Sequence, residues 1–185
     1  MIFLKILTGT NNWQVYNKSI GSGNALFLNT TDASGSNTGW QSTDATSSVF
    51  YVSGGTAVNG SSASLIAYCF AEKKGYSKFG TYTGNGNADG TFCFCGFRPS
   101  WVMGKATSRT ENWFIFDNKR DSFNSCKELL KADENSAEFT GSEFLDFTSQ
   151  GFKIRSSNEK FNESGTSYIF MAFAESPFVN SNGVP

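Results

Sequence analysis

The chain of 185 residues contains no histidine. That removes Ser-His-Asp and Cys-His catalysis, His-ligated zinc and the commonest general base near neutral pH. Charge is scarce as well, at 17% of residues, and the formal net charge is −1 with no basic cluster. The electrostatic footprint of a nucleic-acid binder is therefore missing. The longest apolar runs fall far short of the roughly 18 residues that span a bilayer, so membrane insertion by a helix is not expected. The opening "MIFLKIL" is interrupted by Lys5 and stops at Thr8, which suits a strand better than a signal peptide. Four cysteines (Cys69, Cys93, Cys95, Cys126) are too few for a disulfide scaffold of this size. Cys93 and Cys95 alternate within "TFCFCGF", on one face of one strand, where a bridge would be strained. Reduced, packed thiols are expected, and neither a metal–sulfur site nor a cofactor.

What is present is aromatic side chains, at 16% of residues, with 19 Phe and 19 Gly. A chain rich in Phe, Gly, Ser, Thr and Asn makes strands joined by turns, so an all-β fold with little helix is expected. Turn signals such as "GTNN", "GSGN", "SGG" and "GNGNADG" separate the apolar runs, as in a sandwich or barrel.

The chain also repeats itself. "MIFLKILTGTNNWQVYN" (1–17) aligns with "WVMGKATSRTENWFIFD" (101–117) at an offset of 100, matching Lys5 with Lys105 and Trp13 with Trp113. Leu28 then fits Leu130, and Phe50 and Val52 fit Phe152 and Ile154, at 102. "LIAYCFAE" (65–72) fits "YIFMAFAE" (168–175) at 103. Insertions this small belong in loops. Two related β units follow, 1–75 and 76–185, expected to share one compact domain. The closing line of each unit, apolar on both faces, suits a strand buried on two sides. "SCKELLKADENSAEF" has helical spacing, but its counterpart "GNALFLNTTDASG" could not form a helix. A short strand near 128–131, or at most one helical turn, is expected there. The second unit is preceded by additional strands within 76–100 that the first lacks, since Met1 falls where Trp101 falls. A fragment of a longer protein, or strands supplied by another chain or domain, would account for that.

Several segments together carry a family resemblance: "NWQVYNKS", "IAYCFAEKKGYSKFGTYTGNGNADGTF", "GFRPSWVM", "ENWFIFDNKRD", "GFKIRS" and "SYIFMAFAESPFVNSNGVP". They resemble β-rich repeat domains from tail-fibre and other virion proteins of tailed, often marine, bacteriophages. The resemblance covers essentially the whole chain and is most specific from Ile66 to Asp89. It implies a non-enzymatic virion module, structural or receptor-binding, with a host-surface glycan as receptor. It also implies other virion proteins as partners and a homotrimer. It carries no catalytic residues. By analogy with neighbouring lectin-like domains, the antiparallel β-sandwich would be of jelly-roll or concanavalin type.

Candidate functional residues are few. "YTGNGNADG" (82–90) alternates Asn85, Asn87 and Asp89 in a manner resembling a calcium loop, but no later glutamate supplies bidentate ligation. A tight hairpin turn is the plainer alternative. With Tyr82 these side chains would also suit sugar hydroxyls. Trp40, in the polar stretch "SGSNTGWQST", would either stack on a sugar or partner or fold over the sheet edge. Trp13 and Trp113 recur within strands and should belong to the core. A capsule depolymerase would need two carboxylates, for which Glu72, Glu175 and Asp89 are candidates. Strand-end ion pairs with Lys or Arg would equally explain the repeated Glu72 and Glu175. A lectin-like domain secreted by a bacterium is a further alternative.

Overall fold

A computed structural model describes residues 1–177, apart from the side chains of Ser142 and Glu143. The chain divides into two compact units, at Ala71/Glu72, and the described structure is antiparallel β throughout except for one four-residue helix.

The first unit is one sheet. β1 (Ile2–Ile6), β2 (Gln14–Tyr16), β3 (Asn24–Phe27), β4 (Gly35–Ser36) and β5 (Leu65–Cys69) lie in the order β4-β3-β2-β1-β5. Ile2, Leu4, Tyr16 and Ala25 form its core with Trp40 and Val58, and Ala45, Phe50, Val52 and Ala67 pack against them. The segment 37–58 therefore closes the core as loop rather than as a second sheet.

The second unit is a sandwich of two four-stranded sheets. One holds β6 (Ser77–Thr83), β13 (Ser167–Ala174), β8 (Pro99–Ala106) and β9 (Phe114–Asp117), in the order β6-β13-β8-β9. The other holds β10 (Cys126–Leu129), β11 (Phe139–Thr148), β12 (Gly151–Ile154) and β7 (Phe92–Phe94), in the order β10-β11-β12-β7. Between them Phe114, Phe116, Phe144, Phe152, Phe161, Tyr82 and Tyr168 are buried. Their rings meet edge-on, tilted or stacked; Tyr82 and Tyr168 lie 4.8 Å apart and nearly parallel. Helix α1 (Glu159–Asn162) starts at Asn158, whose side-chain oxygen accepts the Lys160 N–H.

Strand register recurs between the units. Ile2 faces Tyr16, Phe3 faces Val15 and Leu4 faces Gln14; 100 residues on, Val102 faces Phe116, Met103 faces Ile115 and Gly104 faces Phe114. Ile2–Ile6 pair with Cys69–Leu65 as Val102–Ala106 pair with Ala172–Tyr168. Lys5 donates from Nζ to the Gly9 carbonyl, and the buried Lys105 does the same to the Arg109 carbonyl, again four residues on. One offset changes. Val15 faces Leu26, whereas Ile115 bridges Leu130, so in space Leu130 corresponds to Leu26 rather than Leu28. Side chains agree: Asn29 Oδ1 accepts the Trp13 N–H at 2.8 Å, and Asp133 Oδ1 accepts the Trp113 N–H at 2.8 Å.

Other expectations change with the partners each segment finds. The expected short strand near 128–131 is present without helix, but at 126–129. Trp13 and Trp113 stand just before β2 and β9, not inside them; Trp113 is buried, but Trp13 is half-buried and stacks on the exposed Tyr68. β13 is central and buried, while β5 is an edge strand with Leu65, Tyr68 and Cys69 exposed. Among the described residues, buried-on-both-sides holds only for the second copy, because only there does a strand, β6, lie on the far side.

Candidate functional site

The loop 82–90 spends most of its polar groups within the protein, on its own turns and on neighbouring segments. At its centre is Asn162, wholly buried at the end of α1 and unremarked in the sequence. Asn162 Oδ1 accepts the Asn85 N–H at 2.9 Å. Its Nδ2 donates to Asn85 Oδ1 and to the carbonyls of Asn87 and Ser156, at 2.7–2.9 Å. Asn85 Oδ1 also accepts the Asn87 N–H, and Asn87 Oδ1 accepts the Asp89 N–H. The alternating side chains thus make successive turns instead of a ligand shell. Gly84 is required because a Cβ there would stand 2.2 Å from the Glu163 carbonyl oxygen. Tyr82 is buried, and its hydroxyl donates to the Phe161 carbonyl at 2.7 Å. Asp89 is exposed and paired with Lys153 at 2.6 Å and Arg155 at 3.5 Å; the Lys153 bond and charge hold its carboxyl below the usual range. Tyr82 therefore presents no ring face to a ligand, while Asn85, Asn87 and Asp89 remain at the surface.

Trp40 is not the exposed platform that stacking on a sugar requires. The ring is 1% exposed, edge-on to Tyr16 at 5.6 Å and to Phe50 at 6.5 Å. Its Nε1 is buried without a hydrogen-bond partner among the described residues, which costs about 1–3 kcal/mol. Its surroundings matter more. The backbone beside it opens a cleft of about 460 Å³, lined by Gln14, Ser36, Asn37, Thr38, Ser53 and Thr56 among others. Asn37 sets one wall: its Nδ2 donates to Gln14 Oε1 at 3.3 Å and its Oδ1 accepts the Gly39 N–H at 2.6 Å. Gln41 and Ser42 follow with φ of 53° and 49°, left-handed values uncommon for residues with a side chain. The lining carries amides and hydroxyls beside glycines, Ala57 and Val58, and no charged side chain. Such a wall exchanges hydrogen bonds with a neutral polyhydroxyl ligand and offers nothing to compensate a charged one. The runs "ASGSNTG" and "SGGTAVNGSS" were the available signal, but each is indistinguishable from ordinary turn sequence.

The remaining chemistry is taken up in pairing. Glu72 binds Lys78 at 2.8 Å, and Glu175 binds Arg98 at 2.8 Å and accepts from Asn118 at 2.7 Å. All four cysteines are free; Cys93, Cys95 and Cys126 are buried, but Cys69 is exposed on β5. Burial pushes the Cys95 and Cys126 thiols up to about 12 and Cys93 further still, so they are poor nucleophiles. Among the described residues no cluster of acidic or thiol side chains could hold a metal ion, and no helix is long and apolar enough to cross a membrane.

No curated protein and no solved structure matches this chain. A family model does, over residues 1–177. The matched span takes in both the single sheet with its cleft and the sandwich with its self-bonded loop, and on that match the chain belongs to the domain-of-unknown-function family DUF7483.

Proposed function

We propose that this chain is a non-enzymatic module of a phage virion appendage, such as a tail fibre, that binds a neutral glycan of the host surface. The virion setting rests on the resemblance of segments such as "IAYCFAEKKGYSKFGTYTGNGNADGTF" to phage fibre repeats. The observation that carries the binding role is the uncharged amide and hydroxyl cleft of the first unit. Its volume lies in the range of small-ligand sites, roughly 300–1,000 Å³. The carboxylates that a depolymerase would use are engaged with Lys78, Arg98 and Lys153 instead.

The test is a glycan array on the purified protein, followed by calorimetric titration of any neutral oligosaccharide it retains. Thr38→Trp, at an exposed position of the lining, should weaken binding at least tenfold and leave the fold intact. Binding that persists in Thr38→Trp but is lost on substitution of Asn87 and Asp89 would move the site to the loop. Binding of no glycan at all would reduce the proposed role to architecture. Release of sugar from host polysaccharide, lost in Glu72→Gln or Glu175→Gln, would make the module an enzyme. The proposed assembly is a homotrimer with other virion proteins, which light scattering checks; a clean monomer would overturn it.

A further inference from the structure

One edge of the first sheet has its complement written elsewhere in the same chain. Among the described residues, β5 pairs with β1 on one side only. Leu7 donates to the Ser64 carbonyl at 2.8 Å, and Phe70 and Met1 exchange bonds at 2.9 and 3.1 Å. By the alternation of antiparallel ladders, Ile66 and Tyr68 also face β1, while Leu65, Ala67 and Cys69 direct N–H and C=O outward. In the second unit the register-equivalent residues are Tyr168, Phe170 and Ala172, and these pair with Tyr82, Gly80 and Lys78 of β6. The side chains show the same deficit. Leu65, Ala67 and Cys69 lie in line with the core residues Ile6, Leu4 and Ile2. Yet Leu65 is 37% exposed where Tyr168 is fully covered.

Edges are normally blunted by charge, proline, a bulge or a covering segment. The outer edge of β6 is treated so: Lys73 bridges Ser77, the Phe79 N–H reaches Glu72 at 3.4 Å, and Thr91 Oγ1 caps the Thr83 carbonyl at 2.8 Å. The sequence Leu65–Cys69 has no charge and no proline, and it pairs with β1 without a bulge.

We propose that the β5 edge is a strand-acceptor site, and that its occupant is an antiparallel strand of the β6 kind from another module of this family. The template also defines the occupant's chemistry. Gly80 is forced in the second unit, since a Cβ there would stand 2.7 Å from the Phe170 ring. Ala67 stands in the Phe170 position, so the incoming strand has room for a bulky apolar residue opposite it. An apolar or aromatic residue belongs opposite Leu65, as Tyr82 stacks on Tyr168. Backbone bonds would supply affinity and these two positions specificity.

The probe is a synthetic peptide with the sequence of Tyr76–Gly84, with a second carrying Leu in place of Gly80. In the free protein the amides of Leu65, Ala67 and Cys69 should exchange rapidly. Saturating peptide should slow them at least tenfold and shield the Cys69 thiol, with the Leu peptide binding more tightly. Ala67→Pro removes one outward N–H without touching the β1 ladder, so it should abolish peptide binding while the circular dichroism stays native. Slow exchange of these amides in the free monomer would overturn the proposal. So would equal binding by a scrambled peptide or by Ala67→Pro. Concentration-dependent protection without peptide would assign the edge to self-pairing and overturn the β6-type occupant. None of these residues lines the cleft, so loss of glycan binding leaves this test unaffected.

Discussion

The two units start from the same strand pairs and close their cores by different means. In the second, β11 and β12 lay a second sheet over the first, and β7 continues it. In the first, the segment 37–58 closes the core without forming strands, and Phe50 and Val52 pack against that core as half-buried loop residues. β12 lies between β11 and β7, whereas no strand of the first sheet flanks residues 49–52. Without that flanking partner the 49–52 segment stays irregular. The lesson is that a strand needs two sources of support, an apolar face and a hydrogen-bonded neighbour, and that losing the second releases the backbone to shape a cleft.

Truncation should show the difference most strongly. Phe152→Ala empties a fully buried position and should cost the second unit about 3–5 kcal/mol. Phe50→Ala, half-buried at the margin of the first core, should cost the first unit about 1–2 kcal/mol. Urea denaturation reads both; equal losses would show the first core to be as tightly closed as the second. Asn162→Ala should cost about 3 kcal/mol, because four part-buried hydrogen bonds around one wholly buried side chain are lost together. It should also speed amide exchange at Asn85, and an unchanged loop would make Asn162 a bystander.

Trp40→Phe should be nearly neutral, within about 1 kcal/mol, since it removes an unsatisfied Nε1 along with some packing. A loss above about 2 kcal/mol would mean that the indole nitrogen is bonded after all. Thiol labelling should divide the same way: Cys69 reacts promptly in the native protein, while Cys93, Cys95 and Cys126 wait for unfolding. Prompt reaction of a second thiol would break the contrast.

The smallest effect is electrostatic. Bonds from Lys131, Asn112 and Ser136 depress Glu134 to about 2. Its stabilisation is present above the unfolded value near 4.5 and is lost as pH falls toward 2. At the matching place the first unit has the neutral pair Asn12 and Asn29. Acid should therefore weaken the second unit alone at this point, by less than about 1 kcal/mol given the exposure of Glu134. Glu134→Gln should remove that dependence from the pH profile of its unfolding.

Most of this architecture was legible in the residues, because period-two patterns and the doubled lines constrain faces and pairings. The match of Leu28 to Leu130 failed instructively. A slip of two residues keeps every side chain on its face, so sequence similarity cannot detect it. Only the bonds of Trp13 to Asn29 and Trp113 to Asp133 mark the true register. β5 looked like a central strand because apolarity on both faces reports burial demand, not whether a neighbour exists to meet it. The candidate site was hidden for a related reason. Asn85, Asn87 and Asp89 have the composition of a ligand shell, but their partner Asn162 is 77 residues from Asn85. The cleft draws its walls from two separate stretches of mostly small residues, 36–42 and 53–58, with Gln14 and Gly23, none distinctive alone.

The side-by-side placement of β1 and β5 has a mechanical consequence. Met1 lies opposite Phe70, so these two residues sit at one end of a single antiparallel ladder. Tension applied through the chain would load those hydrogen bonds one pair at a time, as in a zipper, rather than all together in shear. The ladder would part at low force from Phe70 toward Ser64. A force that draws Met1 and Phe70 apart should therefore open this ladder well before the thermodynamic stability of the first unit suggests.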